Sequence, residues 1–148
     1  MYNGETNLAS MLRTLAVDLR VEEYCFVTLP DGAQQNENTA YVDIKSGKIL
    51  MCFMETEGLT FIMRKDAADE GLFAYAGTYK VLTLKVHSSL DAVGLTAFVS
   101  KVLADASIPA NVVAAFYHDH ILVPTAEADR ARELLIIKAH ALSEKSSC

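Results

Sequence analysis

From Thr78 to Leu142 the spacing of apolar residues changes from strand-like to helix-like and back in one fixed order. TYKVLTLKV (78–86) has strand composition and runs straight into Ser88-Ser89-Leu90-Asp91, a Ser-x-x-Asp helix start signal. Leu95, Phe98, Val99, Val102, Leu103 and Ala106 then recur at i, i+3, i+4 and i+7 spacing, which predicts a helix over 90–106 with one buried face. SIPAN breaks that helix. NVVAAFY (111–117) and HILV (120–123) read as two strands separated only by His118 and Asp119. A second helix is expected after Pro124-Thr125, with Glu127 in its first turn and Ala128, Ala131, Leu134, Leu135, Ala139 and Leu142 down one side. The order β-α-β-β-α is most of a ferredoxin-like split βαβ unit, an α+β architecture.

The first half is less regular but has similar content. YCFVTL (24–29), ILMCFM (49–54) and LTFIMR (59–64) read as strands, with Pro30-Asp31-Gly32, Ser46-Gly47 and Glu57-Gly58 as the turns between them. KDAADEG (65–71) suits one short helix. Residues 7–19 carry two patterns, a helical stripe (Leu8, Met11, Leu12, Leu15, Leu19) and a strand alternation (Leu15, Val17, Leu19, Val21), and helix is the reading taken for 7–16. Two modules follow, residues 1–76 and 77–148, joined at the Ala76-Gly77 turn. Their similar content makes an internal structural repeat the expectation.

The chain has 148 residues, of which 51% are hydrophobic and 22% charged, enough for an ordered core. With 13 basic against 19 acidic side chains, a net charge of −6 and no Lys/Arg cluster, a phosphate backbone would find no electrostatic seat, so nucleic acid is not an expected partner. No apolar run reaches the roughly 18–20 residues needed to span a bilayer, and no cationic segment precedes an apolar one at the N-terminus. The expectation is therefore a cytoplasmic protein without membrane contact. Cys25, Cys52 and Cys148 are odd in number and fit no CxxC motif, and the apolar runs around Cys25 and Cys52 assign both to core packing.

The stretch YHDHILVP (117–124) offers three readings: a metal clamp, a proton-transfer pair, or a hairpin end. Alternate strand residues share a face, so His118 and His120 supply two ligands, but no third or fourth lies at a recognisable spacing, and His87 would join only through tertiary structure. Asp119 suits a turn through its short polar side chain. No nucleophile elbow, P-loop or dinucleotide fingerprint is present. The expectation is a protein with no catalytic residues, no metal and no cofactor.

The motifs ETEGLTFIM (55–63) and VHSSLDAVGLTAFVSKVLADASIPANVVAAFYHDHILVP (86–124) resemble those of small bacterial tandem ACT-domain proteins, and the likeness covers nearly the whole chain. More distantly the chain is similar to the amino-acid-sensing domains of aspartate kinases and to the cytosolic arginine sensor of the animal TOR pathway. It departs from the pattern in residues 7–22, where a proline expected near Val17 is absent. The resemblance implies two ferredoxin-like ACT modules in tandem, pairing side by side in a homodimer and binding a small ligand, often an amino acid, at the seam.

The residues themselves direct attention to the same place. Gly94 falls in the expected first turns of a helix, where glycine costs roughly 1 kcal/mol relative to alanine, either for close packing or for backbone approach to a ligand. Amides 89–91, expected to open that helix, would seat a carboxylate or be satisfied by Ser88 as a cap. Asp91 and Glu57 are either first-turn and surface charges or the acceptors of an α-ammonium, with Glu55 a weaker candidate. The expected ligand-binding set is Glu57, Gly58, Leu59, Ser88, Ser89, Leu90, Asp91, Val93, Gly94 and Asn111. A regulatory amino-acid-binding module and an adaptor dimer with a vestigial pocket are the two functions that fit.

Overall fold

The computed structural model describes residues 4–30, 47–86 and 88–145. The turn at Pro30-Asp31-Gly32 beyond Pro30, the polar run at 33–40, Ser46, His87 and Cys148 lie outside them. The described elements are α1 (Leu8–Arg13), β1 (Val17–Leu19), β2 (Tyr24–Pro30), β3 (Ile49–Glu55), β4 (Gly58–Arg64), α2 (Lys65–Glu70), β5 (Tyr79–Leu84), α3 (Leu95–Asp105), β6 (Asn111–Ala114), β7 (Asp119–Pro124) and α4 (Ala128–Lys145), with a 3-10 turn (Thr125–Glu127) leading into α4. No described helix is long and apolar enough to cross a membrane.

The chain forms two compact units, one of residues 1–21 with 80–148 and the other of residues 22–79. In the first, β5 lies between β1 and β7, and β7 pairs with β6. β1 runs antiparallel to β5, with Val17 opposite Leu84 and Leu19 opposite Leu82. Counting from β5, the order β1-β5-β7-β6 places β5, β6 and β7 as the first three strands of a ferredoxin-like unit and the N-terminal β1 as its fourth. A sequence division at Ala76-Gly77 therefore differs from the division by packing, because β1 finds its hydrogen-bonding partner in β5. The alternation at Val17 and Leu19 is expressed as strand, and the helix expected over 7–16 ends at Arg13.

Strand pleating sorts β5 and β7 into two faces: Leu82, Leu84, Ile121 and Val123 enter the helix-covered core with Leu95, Phe98, Val99, Leu103, Leu135 and Ala139. Each fully buried leucine of this set contributes roughly 1.5–3 kcal/mol by leaving water. Arg132 donates from Nε to the Val17 carbonyl at 2.8 Å, tying α4 to β1.

The second unit is the antiparallel set β3-β4-β2, in register from Tyr24 opposite Arg64 to Leu29 opposite Leu59. Its core holds Cys25, Val27, Phe61, Met63, Ala67 and Ala68. Cys52 is exposed, contrary to the core assignment, because β3 is the outermost described strand and its second half faces solvent. Phe26 and Tyr79 meet edge to face at 5.3 Å within this unit.

Two other expectations are corrected. Helix α3 starts at Leu95, not residue 90, because Gly94 takes φ +108°, ψ −22°, which no right-handed helix accommodates. Ser88-x-x-Asp91 is accordingly no capping box. The Ser89 hydroxyl accepts from the Asp91 amide at 3.2 Å and the Ser89 carbonyl from the Ala92 amide at 3.0 Å, so the serine closes a local turn instead. In the hairpin, β6 ends at Ala114 and the link is Ala115–His118, closed by the Ala115 amide donating to the His118 carbonyl at 3.1 Å. Asp119 belongs to β7, opposite Ala114.

Candidate functional site

The expected ligand set falls in two places, one in each compact unit. In the unit of residues 80–148, Ser88 to Gly94 form the connection from β5 to α3, and Asn111 opens β6 opposite Leu122. Leu90 and Val93 are exposed apolar side chains on that connection, and Asp91 is exposed. In the other unit, Thr56-Glu57 is the two-residue turn of the β3–β4 hairpin. Gly58 takes φ +141° where β4 begins, a conformation that side chains rarely adopt. Glu57 is exposed at that turn, and the Glu55 carboxylate accepts from the Thr60 hydroxyl.

The extended segment before α1 lies directly on the 88–91 loop. Glu5 forms a parallel bridge with Ser88, and its carbonyl accepts from the Ser89 amide at 2.9 Å. A Cβ at Gly4 would stand 2.4 Å from the Ser89 nitrogen, so only glycine allows that approach. Two of the three amides expected to hold a carboxylate thus already have acceptors, Ser89 in Glu5 and Asp91 in the Ser89 hydroxyl. The first α3 bond runs from the Phe98 amide to the Gly94 carbonyl at 2.8 Å, leaving amides 95–97 without an intrahelical acceptor.

Gly4 and Glu5 were not foreseen, since a bridge to Ser88 leaves no local trace in sequence. The Glu5 carboxylate accepts from the Thr6 and Asn7 amides, each at 2.8 Å. The Asn7 amide, a Ser10 hydrogen bond and the Thr6 amide hold it below the ordinary carboxylate range. Asn7 caps α1, its Oδ1 accepting from the Ser10 amide at 2.9 Å. At Gly94 the nearest neighbour of an added Cβ is Leu8 Cδ2 at 2.8 Å, so the glycine serves both a left-handed backbone and close packing by α1.

The histidine stretch resolves into separate environments. His120 Nδ1 lies 2.9 Å from the Thr83 hydroxyl. Burial lowers its pKa, with Arg20, His118 and Lys85 adding to the effect. Burial raises the Asp119 carboxyl, opposed by His118. Among the described residues no three His, Cys, Asp or Glu side chains gather as metal ligands.

A shallow polar cleft of about 240 Å³ in the unit of residues 22–79 is lined by Glu22, Glu23, Arg64, Lys65, Asp66 and Asp69. Its cations are paired, Lys65 with Asp69 at 2.6 Å and Arg64 with Asp66, and the Tyr75 hydroxyl donates to Asp69 at 2.7 Å. Nearby, burial and then Asp69 push the Cys25 thiol up to about 11, which leaves it un-ionised and inert.

Comparison with known proteins gives two consecutive ACT-domain matches, over residues 3–80 and 77–136. A Vibrio cholerae protein of unknown function, described as a possible transport protein, is 32% identical, with 90% of this chain and 95% of that one covered at a TM-score of 0.73. The regulatory subunit of aspartate kinase from Thermus flavus shares the fold at 14% identity and TM-score 0.58, covering 83% of this chain and 95% of that one. The ligand-free regulatory subunit from Thermus thermophilus does so at 12% identity and TM-score 0.54, covering 80% and 93%. No curated protein matches the chain.

Proposed function

Because the chain belongs to the ACT-domain family and carries two such domains in tandem, we propose that it is a regulatory, non-catalytic protein that binds a free α-amino acid at a seam between ACT modules. The observation that carries this reading is the pair of ACT matches, a domain type that is typically a regulatory amino-acid-binding module. The fold shared with aspartate kinase regulatory subunits supports it. The proposed protein is a cytoplasmic homodimer whose two-fold axis relates four modules.

In the proposed site the ligand ammonium faces Asp91 or Glu57, and Gly58 and Gly94 keep the main chain free of side chains beside it. Leu59, Leu90, Val93 and Asn111 line it. The carboxylate takes backbone donors between Ser88 and the start of α3. With the Ser89 and Asp91 amides engaged, amides 95–97 carry most of that task. The same engagement is the one observation favouring the second reading, an adaptor dimer with a vestigial pocket.

A thermal-shift screen of the twenty amino acids at millimolar concentration separates the two. Binding to the folded state alone adds roughly 2.7 kcal/mol at a hundred times Kd, a melting shift of about 5–11 °C for a chain of this size. The hit should weaken in Asp91→Asn or Glu57→Gln. If no amino acid moves the melting point by more than about a degree, the adaptor reading stands. Light scattering at tens of micromolar should report a dimer.

A further inference from the structure

Helices α1, α3 and α4 leave between them a groove of about 890 Å³, at the upper end of the roughly 300–1,000 Å³ usual for small-molecule clefts. Its walls are apolar: Leu8 and Leu12 from α1, Phe98 and Val102 from α3, Leu134 and Leu142 from α4. Leu8, Val102 and Leu134 are only partly buried, so they present apolar surface to whatever fills the groove.

The rim carries Lys101, Asp105 and Lys138, two cations against one anion. Lys101 is held by Asp105 across one helical turn at 3.0 Å, whereas Lys138 forms no ion pair among the described residues. In a chain of net charge −6, this is an apolar channel with a surplus cation at its edge. A second copy is a poor occupant. With the groove on the two-fold axis it would face its own copy, and two concave surfaces would enclose unfilled apolar volume and bring the two Lys138 side chains together. A slim apolar body with a single anionic end meets both the shape and the charge.

We infer that this groove binds an amphipathic carboxylic acid, its hydrocarbon tail along Leu8, Phe98, Val102 and Leu134 and its carboxylate at Lys138. The site lies wholly within the unit of residues 1–21 and 80–148; it borders the proposed amino-acid site at Gly94 and Ala97, but none of Leu8, Phe98, Val102, Leu134 and Lys138 belongs to that site.

The test titrates the full chain with octanoate, nonanoate and decanoate below their micelle thresholds by isothermal titration calorimetry. Each added methylene should tighten binding roughly fourfold, the factor corresponding to burial of one CH₂. Lys138→Glu, an exposed position, should weaken decanoate several-fold while leaving decanol unchanged, and decyltrimethylammonium should bind wild type more weakly than decanoate. Ala97→Phe, exposed on the groove wall, should abolish binding of all three. Unchanged circular dichroism certifies each variant as folded. Methyl NMR shifts should map to Leu8, Val102 and Leu134.

Absence of saturable binding, decanoate binding undiminished in both variants, or equal affinity for the cationic probe would each overturn the inference. Conversion of a wild-type dimer to a monomer by Ala97→Phe would assign the groove to a second copy instead, and would equally overturn it.

Discussion

Alanine at position 94 separates what the fold needs there from what a ligand needs. The backbone stands at φ +108°, where an L side chain is strained by roughly 1–2 kcal/mol. The new methyl would also lie 2.8 Å from Leu8 Cδ2, so Leu8 must swing away from the apolar surface it covers. The two contributions together predict a loss of about 1.5–3 kcal/mol, and for a chain of this length a melting point lower by roughly 3–12 °C. Gly77→Ala is the control. The nearest atom to its added Cβ is Tyr79 Oη at 3.9 Å, and its stability should stay within about 0.5 kcal/mol of wild type. Scanning calorimetry and urea unfolding on exhaustively dialysed protein measure both. In a Leu8→Ala background the steric part of the Gly94→Ala loss should disappear and the backbone part persist. The reasoning fails if Gly94→Ala melts with wild type, or if Leu8→Ala erases the loss entirely, since the backbone would then not be left-handed.

Leu103, fully buried in the core under α3, should lose about 2–5 kcal/mol on Leu103→Ala, whereas the exposed Leu90→Ala should change stability by less than about 0.5 kcal/mol in equilibrium unfolding. His120 has a folded pKa below its ordinary value, so the unfolded chain binds more protons. Stability should fall as pH drops from about 6.5 toward the depressed value, and that slope should be missing in His120→Asn. NMR titration should place the His120 pKa below 6.5. Asp119, whose carboxyl is raised, acts with opposite sign in the carboxylate range: its contribution should grow as pH falls through the folded value, a trend absent in Asp119→Asn. In a Cys148→Ser background at pH 8, an aromatic disulfide reagent should modify the exposed Cys52 within minutes, while Cys25 should react only on unfolding.

Strands β2 to β5 were legible to within a residue or two because each is an apolar run between residues that break strands, a signal carried inside the segment itself. What failed to read depended on partners distant in sequence or on one dihedral. Ser88-x-x-Asp91 has the residue types of a helix start, yet the helix waits for Gly94, whose positive φ the sequence permits but does not demand. The His118-Asp119 turn moved because Ala114 rather than Tyr117 is the last residue of β6 to find a partner across the hairpin. Cys52 sits in as apolar a run as Cys25, and only its place on an outermost strand exposes it. At the candidate site Gly58 and Gly94 were visible from composition and spacing, whereas Gly4, packed on Ser89, was not. The occupancy of the Ser89 amide was not, because its acceptor, the Glu5 carbonyl, lies outside the local turn.

The pairing of β1 with β5 also fixes an order of events during synthesis. Residues 22–79 form a compact unit that is contiguous in the chain, so all of them have been made by the time the ribosome starts on β5. The N-terminal strand has no such option: its partner is made only after the whole intervening unit, and α4, whose Arg132 holds the Val17 carbonyl, is made later still. Met11, Leu12, Leu15 and Val17 are therefore nascent-chain liabilities, apolar groups that remain without their final burial until α4 has been made.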